Sequence, residues 1–173
     1  MSDQVVVGVL ITVPAPYAEI LAGWREWCGD PHARQAPPHV TLLPPTEISE
    51  EELPKVEQHL LEAASTVGRF TMHLLGTGTF RPVSQVVFVQ VAAGLVECEL
   101  LEASIRRGPL QRELDFPYHP HVTVAQDVSP TALDDAYEGL RDFAARFPVV
   151  DFTMFARGTG GAWQPRRIFA LSG

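Results

Sequence analysis

The tripeptide His-Val-Thr occurs twice in this chain of 173 residues, at 39–41 in "PPHVTLLPP" and at 121–123 in "YHPHVTVAQ". Each copy follows a proline and opens a β-branched segment. Residues i and i+2 of a strand share a face. His39 and Thr41 therefore point one way and Val40 the other, and the same holds for His121, Thr123 and Val122. Each strand offers an imidazole and a hydroxyl side by side. Imidazole is the side chain whose charge changes near neutral pH. Two of them on opposite sides of a phosphorus atom divide the proton transfers: one accepts from the attacking oxygen, the other donates to the leaving oxygen. The two threonine hydroxyls can donate to the non-bridging phosphate oxygens. This chemistry calls for no cofactor and no metal, and the sequence has no dense run of carboxylates or cysteines to ligate one. By chance His-aliphatic-Thr arises about once in ten to twenty chains of this length, and twice in about one of several hundred.

The surrounding pattern supplies the elements that must hold these residues. "QVVVGVLIT" (4–12) reads as a buried strand. "PAPYAEILAGWREWCG" carries Tyr17, Ile20, Leu21, Trp24 and Cys28 at helical spacing, with Gly29 to end it. "HVTLL" (39–43) is a strand that Pro44-Pro45 should stop. Ser49 and Glu52 resemble a capping box opening a helix to about Val67. "RFTMHLLGTGTF" (69–80) alternates and then loosens into glycines, and "QVVFVQV" (85–91) is a strand. Residues 94–107 form an amphipathic helix, and "HVTVA" (121–125) is a strand. Ser129-Pro130 starts the helix "TALDDAYEGLRDFAARF". "VVDFTMFARG" and "RRIFALS" close the chain as an antiparallel pair. Each His-Val-Thr strand follows a strand and a helix and precedes another helix, and the copies sit close to half a chain apart. An α+β fold of two similar, mostly antiparallel half-units in a single domain (1–173) is expected.

Composition narrows the partners. Hydrophobic residues make up 46% and charged residues 20%, with a formal net charge of −8. A broad grip on duplex nucleic acid wants a basic face and is not expected. A local cluster can still hold a phosphate. The two cysteines, Cys28 and Cys98, read as small core residues in a reducing compartment. The apolar run near the start is too short to span a membrane and has no basic residues before it. A cytoplasmic monomer is expected.

Two H-x-T motifs half a chain apart, in the contexts "PPHVTLLPP" and "YHPHVTVA", resemble the two-histidine (2H) phosphoesterase superfamily, in its bacterial 2′-5′ RNA ligase-like branch. The resemblance covers nearly the whole chain. It implies two pseudo-symmetric lobes of antiparallel sheet with outer helices and an active-site groove between them. It also implies a cyclic phosphodiesterase that opens a 2′,3′-cyclic or related phosphate on a nucleotide or RNA end. By the same resemblance His39 and His121 are catalytic and Thr41 and Thr123 bind phosphate. Two alternatives stay open: 2′-5′ RNA ligation, and a non-catalytic module that binds the same ligand. Three further residues are candidates for groove contacts. Arg81 lies in the loop "GTGTFRPVSQ", His119 lies two residues before His121, and Arg157 lies in "ARGTGGAW", whose glycines could let a backbone approach the phosphate.

Overall fold

The computed structural model describes residues 3–157 and 161–173. The order of elements is β1 (Gln4–Thr12), α1 (Tyr17–Trp27), β2 (His39–Ser49), α2 (Leu53–Ser65), β3 (Phe70–Thr79), β4 (Val86–Ala93), α3 (Leu95–Ile105), β5 (His121–Gln126), α4 (Pro130–Gly139), β6 (Ala144–Val149), β7 (Asp151–Arg157) and β8 (Trp163–Ala170). Strands and helices alternate along the chain except at β3–β4 and at the closing β6–β8. The strands form one curled sheet in the order β6-β3-β4-β5-β2-β1-β7-β8, and every neighbouring pair is antiparallel. This is the expected α+β fold.

The sheet order is pseudo-symmetric about the contact between β2 and β5. Half a chain apart, β1-α1-β2-α2 corresponds to β4-α3-β5-α4, and by position in the sheet β3 corresponds to β7, which follows β6 in the chain. Each unit sends a strand that follows its second helix into the other's half: β3 pairs with β4, and β7, the strand after β6, pairs with β1. The helices cross as well, α1 packing against β5 and α3 against β2. The two halves are thus interlaced rather than merely abutted.

Alternation decides which face is core. Val7, Val9 and Ile11 of β1, Val40 and Leu42 of β2, Val87 and Val89 of β4, and Val122 and Val124 of β5 are buried with Leu21, Leu60, Leu101 and Leu133 of the four helices. Residues between them in the strands face the other side, where His39, Thr41, His121 and Thr123 are each half-buried.

Four local expectations need correction. β2 does not stop at Pro44-Pro45 but runs on to Ser49. The prolines sit where the register with β1 shifts between Val7 and Val9, and β2 pairs with β5 only at Val40↔Val122, so neither proline N–H is missed. Ser49 forms no capping bond. Residues Glu50–Glu52 make a short 3-10 turn, and α2 then starts at Leu53 with Pro54 in its first turn. α4 ends at Gly139 rather than continuing through Phe147. Gly139 lies where a Cβ would collide with the Trp24 ring. The remaining Ala144–Val149 alternates buried and exposed as the edge strand β6, where Pro148 is tolerated. Finally, β3 persists through its glycines to Thr79. Gly78 makes room for the Phe88 ring, which a Cβ would approach to 2.7 Å.

Candidate active site

The two His-Val-Thr strands meet at the seam of the sheet. Val40 is opposite Val122, so the antiparallel register sets His39 across from Thr123 and Thr41 across from His121. Directly opposed side chains on one face are about 5 Å apart and diagonal ones about 7–8 Å. The imidazoles are therefore diagonal neighbours, each beside the other strand's threonine.

Their local geometry is the same. His39 Nδ1 donates to the Pro37 carbonyl at 2.7 Å, and His121 Nδ1 donates to the His119 carbonyl at 2.6 Å. A carbonyl can only accept, so each neutral ring carries its proton on Nδ1 and leaves Nε2 with a lone pair. Neither Nε2 has a hydrogen-bond partner among the described residues. The proline before each motif explains the repetition. It has no N–H, favours an extended chain, and leaves the carbonyl of the residue before it free to accept from the histidine two positions on.

Electrostatics separates the two. Burial pushes the His39 imidazole down to about 4, and the nearby Arg25 and His121 charges push the same way, against the Pro37 hydrogen bond. Burial also lowers His121, with the His119 ring adding to it and the His119 carbonyl opposing it. The desolvating walls differ. His39 lines a cavity of about 120 Å³ with Leu10, Ala36 and Trp163, whose ring is admitted against the sheet at Gly8. His121 sits against Phe80 and Phe88, with centroids 5.0 and 5.1 Å away, and opens onto a cavity of about 790 Å³. Thr41 lines both cavities, and Thr123 lines neither. The Tyr118 hydroxyl donates to the Thr41 carbonyl at 2.8 Å, tying the segment before β5 to β2.

A family model described as the 2′-5′ RNA ligase superfamily matches residues 13–161, which include both motifs. The chain belongs to that superfamily. Among relatives of the superfamily, a Bacillus mycoides protein named "Putative phosphoesterase" is 31% identical over 144 residues, 82% of this chain and 83% of its own. A Bacillus cereus protein of the same name matches equally well. Solved structures share the fold. E. coli LigT complexed with NADP+ superposes with a TM-score of 0.70 at 23% identity, over 99% of this chain and 100% of that one. A Thermus thermophilus protein gives 0.62 at 23% identity, over 97% and 98%.

The three secondary candidates fall differently around these two cavities. His119 precedes β5, lines the large cavity and lies edge-on to Phe80 and Phe88. Arg81 does not line it. Its guanidinium is turned to Asp134 of α4, with Nη1 2.7 Å from Oδ1, and its Nε donates to Thr79 Oγ1. Arg157 lies over the Trp163 ring, 5.1 Å from the centroid, and so backs the wall of the His39 cavity. Residues 158–160, which follow it, lie outside the described residues. Sequence reasoning missed Arg106 and Arg112, which line the large cavity from the end of α3 and the segment beyond it. Phe88 is buried, but Phe80 is half-buried and forms cavity wall. No motif marks the two arginines. Only the fold of the 106–120 segment carries them there.

Proposed function

We propose that this chain is a metal-independent phosphoesterase that opens a 2′,3′-cyclic phosphate on a nucleotide or RNA end. The observation that carries the reading is the matched pair of imidazoles, each fixed through Nδ1 with Nε2 free, diagonal to one another and flanked by Thr41 and Thr123. Membership of the superfamily supports it, as do LigT structures complexed with 3′-AMP, ATP and phosphate.

The unequal cavities suggest the direction. In-line displacement puts the attacking and leaving oxygens on opposite sides of phosphorus. The His39 side has room for a few waters, about 30 Å³ each in the liquid, whereas the His121 side accommodates the body of a small molecule. Water therefore attacks from the His39 side. His39 Nε2 takes its proton as the new P–O bond forms. The bond from phosphorus to one ribose oxygen breaks, and His121 Nε2–H gives that oxygen its proton. The product is a phosphomonoester on the neighbouring ribose oxygen. The lower titration of His39 suits a base and the bound anion favours the protonated form of His121. Thr41 and Thr123 donate to the non-bridging oxygens, where charge builds in the transition state.

The experiment is turnover of nucleoside 2′,3′-cyclic phosphates by the wild type and by His39→Asn. Turnover lost in the variant supports an enzyme. Binding of the cyclic phosphates by the wild type without turnover would overturn the reading in favour of a binding module.

A further inference from the structure

We propose that the substrate carries a second phosphate, and that Arg112, which lines the large cavity, binds it there. The inference rests on the cyclic-phosphate reading above and names the substrate class more closely: a nucleoside with a 2′,3′-cyclic phosphate and a 5′-phosphate. A phosphate held between His39 and His121 occupies only the seam of the sheet. The cavity beyond, about 790 Å³, is of the size that encloses a whole small ligand. Its wall is mainly apolar, with Phe80 and Phe116 exposing ring surface on which a nucleobase can stack.

Two cations interrupt that wall. Arg106 Nε lies 2.9 and 3.1 Å from the two oxygens of the buried Glu102 carboxylate. That pair is neutral as a unit and fixes the Arg106 fork. Arg112 makes no ion pair among the described residues. It supplies an uncompensated positive charge to a cavity in a protein whose formal net charge is −8. Arg112 is exposed where it lines the cavity, which Arg106 also lines, and a guanidinium so placed is suited to a phosphate dianion, which it meets with two parallel N–H donors. Arg112 and His121 line the same cavity, so one molecule can reach both.

The test is a matched pair of substrates, a nucleoside 2′,3′-cyclic phosphate and the same compound with a 5′-phosphate, given to the wild type and to Arg112→Gln. The wild type should prefer the 5′-phosphorylated compound by about 10- to 100-fold in kcat/KM, the worth of a charge-assisted hydrogen bond. In Arg112→Gln that ratio should collapse towards one, while Arg69→Gln, on the strand-leading segment away from the cavity, should leave it unchanged. A ratio near one in the wild type, or a full ratio in Arg112→Gln, would overturn the proposal. If neither compound is opened, the cyclic-phosphate reading fails by itself. The second phosphate is then read by equilibrium binding of a nucleoside 3′,5′-bisphosphate against the 3′-monophosphate, where equal dissociation constants sink it and a preference lost in Arg112→Gln upholds it.

Discussion

Replacing His39 by asparagine should make the protein more resistant to acid while it abolishes turnover. Asn Nδ2 falls close to the place of His Nδ1, so the bond to the Pro37 carbonyl can be kept. What disappears is the titration. The imidazole titrates at about 4 in the folded protein, against 6.5 for the free side chain. Between those values the unfolded chain binds the proton and the folded one does not. Wild-type stability therefore falls as pH drops through 6.5, and the loss is complete below about 4. At about 1.36 kcal/mol per pH unit the ceiling is about 3 kcal/mol. The ring is half-buried and water screens part of its burden, so about 1–2 kcal/mol is the expected size. Urea denaturation of both proteins at several pH values from about 7.5 to 4 reads it directly. The stability of His39→Asn relative to wild type should rise by that amount on acidification, or by roughly 2–8 °C in thermal midpoint. Turnover at neutral pH should fall about 10²- to 10⁴-fold. A variant that is less stable at every pH, tracks the wild-type pH dependence and keeps its activity per folded molecule would refute the reasoning. His39 would then be a packing residue.

The acid can be told from the base by the leaving group. His121→Asn should lose turnover of ribose cyclic phosphates by about 10²- to 10⁴-fold yet recover most of it on a p-nitrophenyl phosphodiester, whose leaving oxygen needs no proton. His39→Asn should not recover, and the reverse pattern would invert the roles. The optimum of kcat/KM, which reports the empty site, should lie on the acid side of 6.5 because both imidazoles are lowered there. The kcat optimum should lie higher, since the bound anion raises both, and coincident optima would contradict this. Thr41→Val and Thr123→Val should each cost about 1.5–3 kcal/mol of transition-state stabilisation while the strand keeps its β-branched shape. Thermal midpoints within a few degrees of wild type would confirm that the loss is in the site, and unchanged kinetics would remove the threonines from it. Treatment with EDTA should leave the rate unchanged, and loss of activity restored by a divalent ion would point to different chemistry.

The shared face of each His and Thr was legible because the strand period of two is rigid. Once "HVTLL" and "HVTVA" are strands, His and Thr must share a face, whatever the rest of the sheet does. The pseudo-repeat was equally visible in element order. The exchange of β3 and β7 between halves was not, because strand pairing is a long-range choice that no local pattern encodes. The boundaries that failed did so where tertiary context overrides propensity. "AARFPV" is compatible with a helix alone, and becomes strand only because β3 offers an edge at which Ala145, Phe147 and Val149 can be buried. Pro44-Pro45 reads as a stop, and only a bulge against β1 with an empty flank towards β5 lets the strand continue. The pairing of Arg81 was not legible because its partner, Asp134, comes from a helix 53 residues away.

In the proposed mechanism, a repeated motif solves half of an acid/base problem and creates the other half. Repetition gives two imidazoles with the same tautomer, the same carbonyl partner two residues upstream and the same threonine beside them. Yet identical groups in identical surroundings would titrate together, and a displacement needs one proton acceptor and one donor at once. The asymmetry comes from the residues that are not repeated. On β1 the groove-facing position opposite Thr41 is Leu10, beside Gly8 and Trp163, and the space left is small. On β4 the position opposite Thr123 is Phe88, joined by Phe80, and the space beyond is large. Arg25 adds a positive charge on the His39 side alone. Filling the small cavity is thus a more telling perturbation than touching either motif. Gly8→Val would place methyl groups against the Trp163 ring, already 3.5 Å from a Cβ at that position. If water attacks from there, kcat should fall while binding of nucleoside monophosphates in the large cavity holds. An equal loss of both would mean that the two cavities do not divide nucleophile from leaving group.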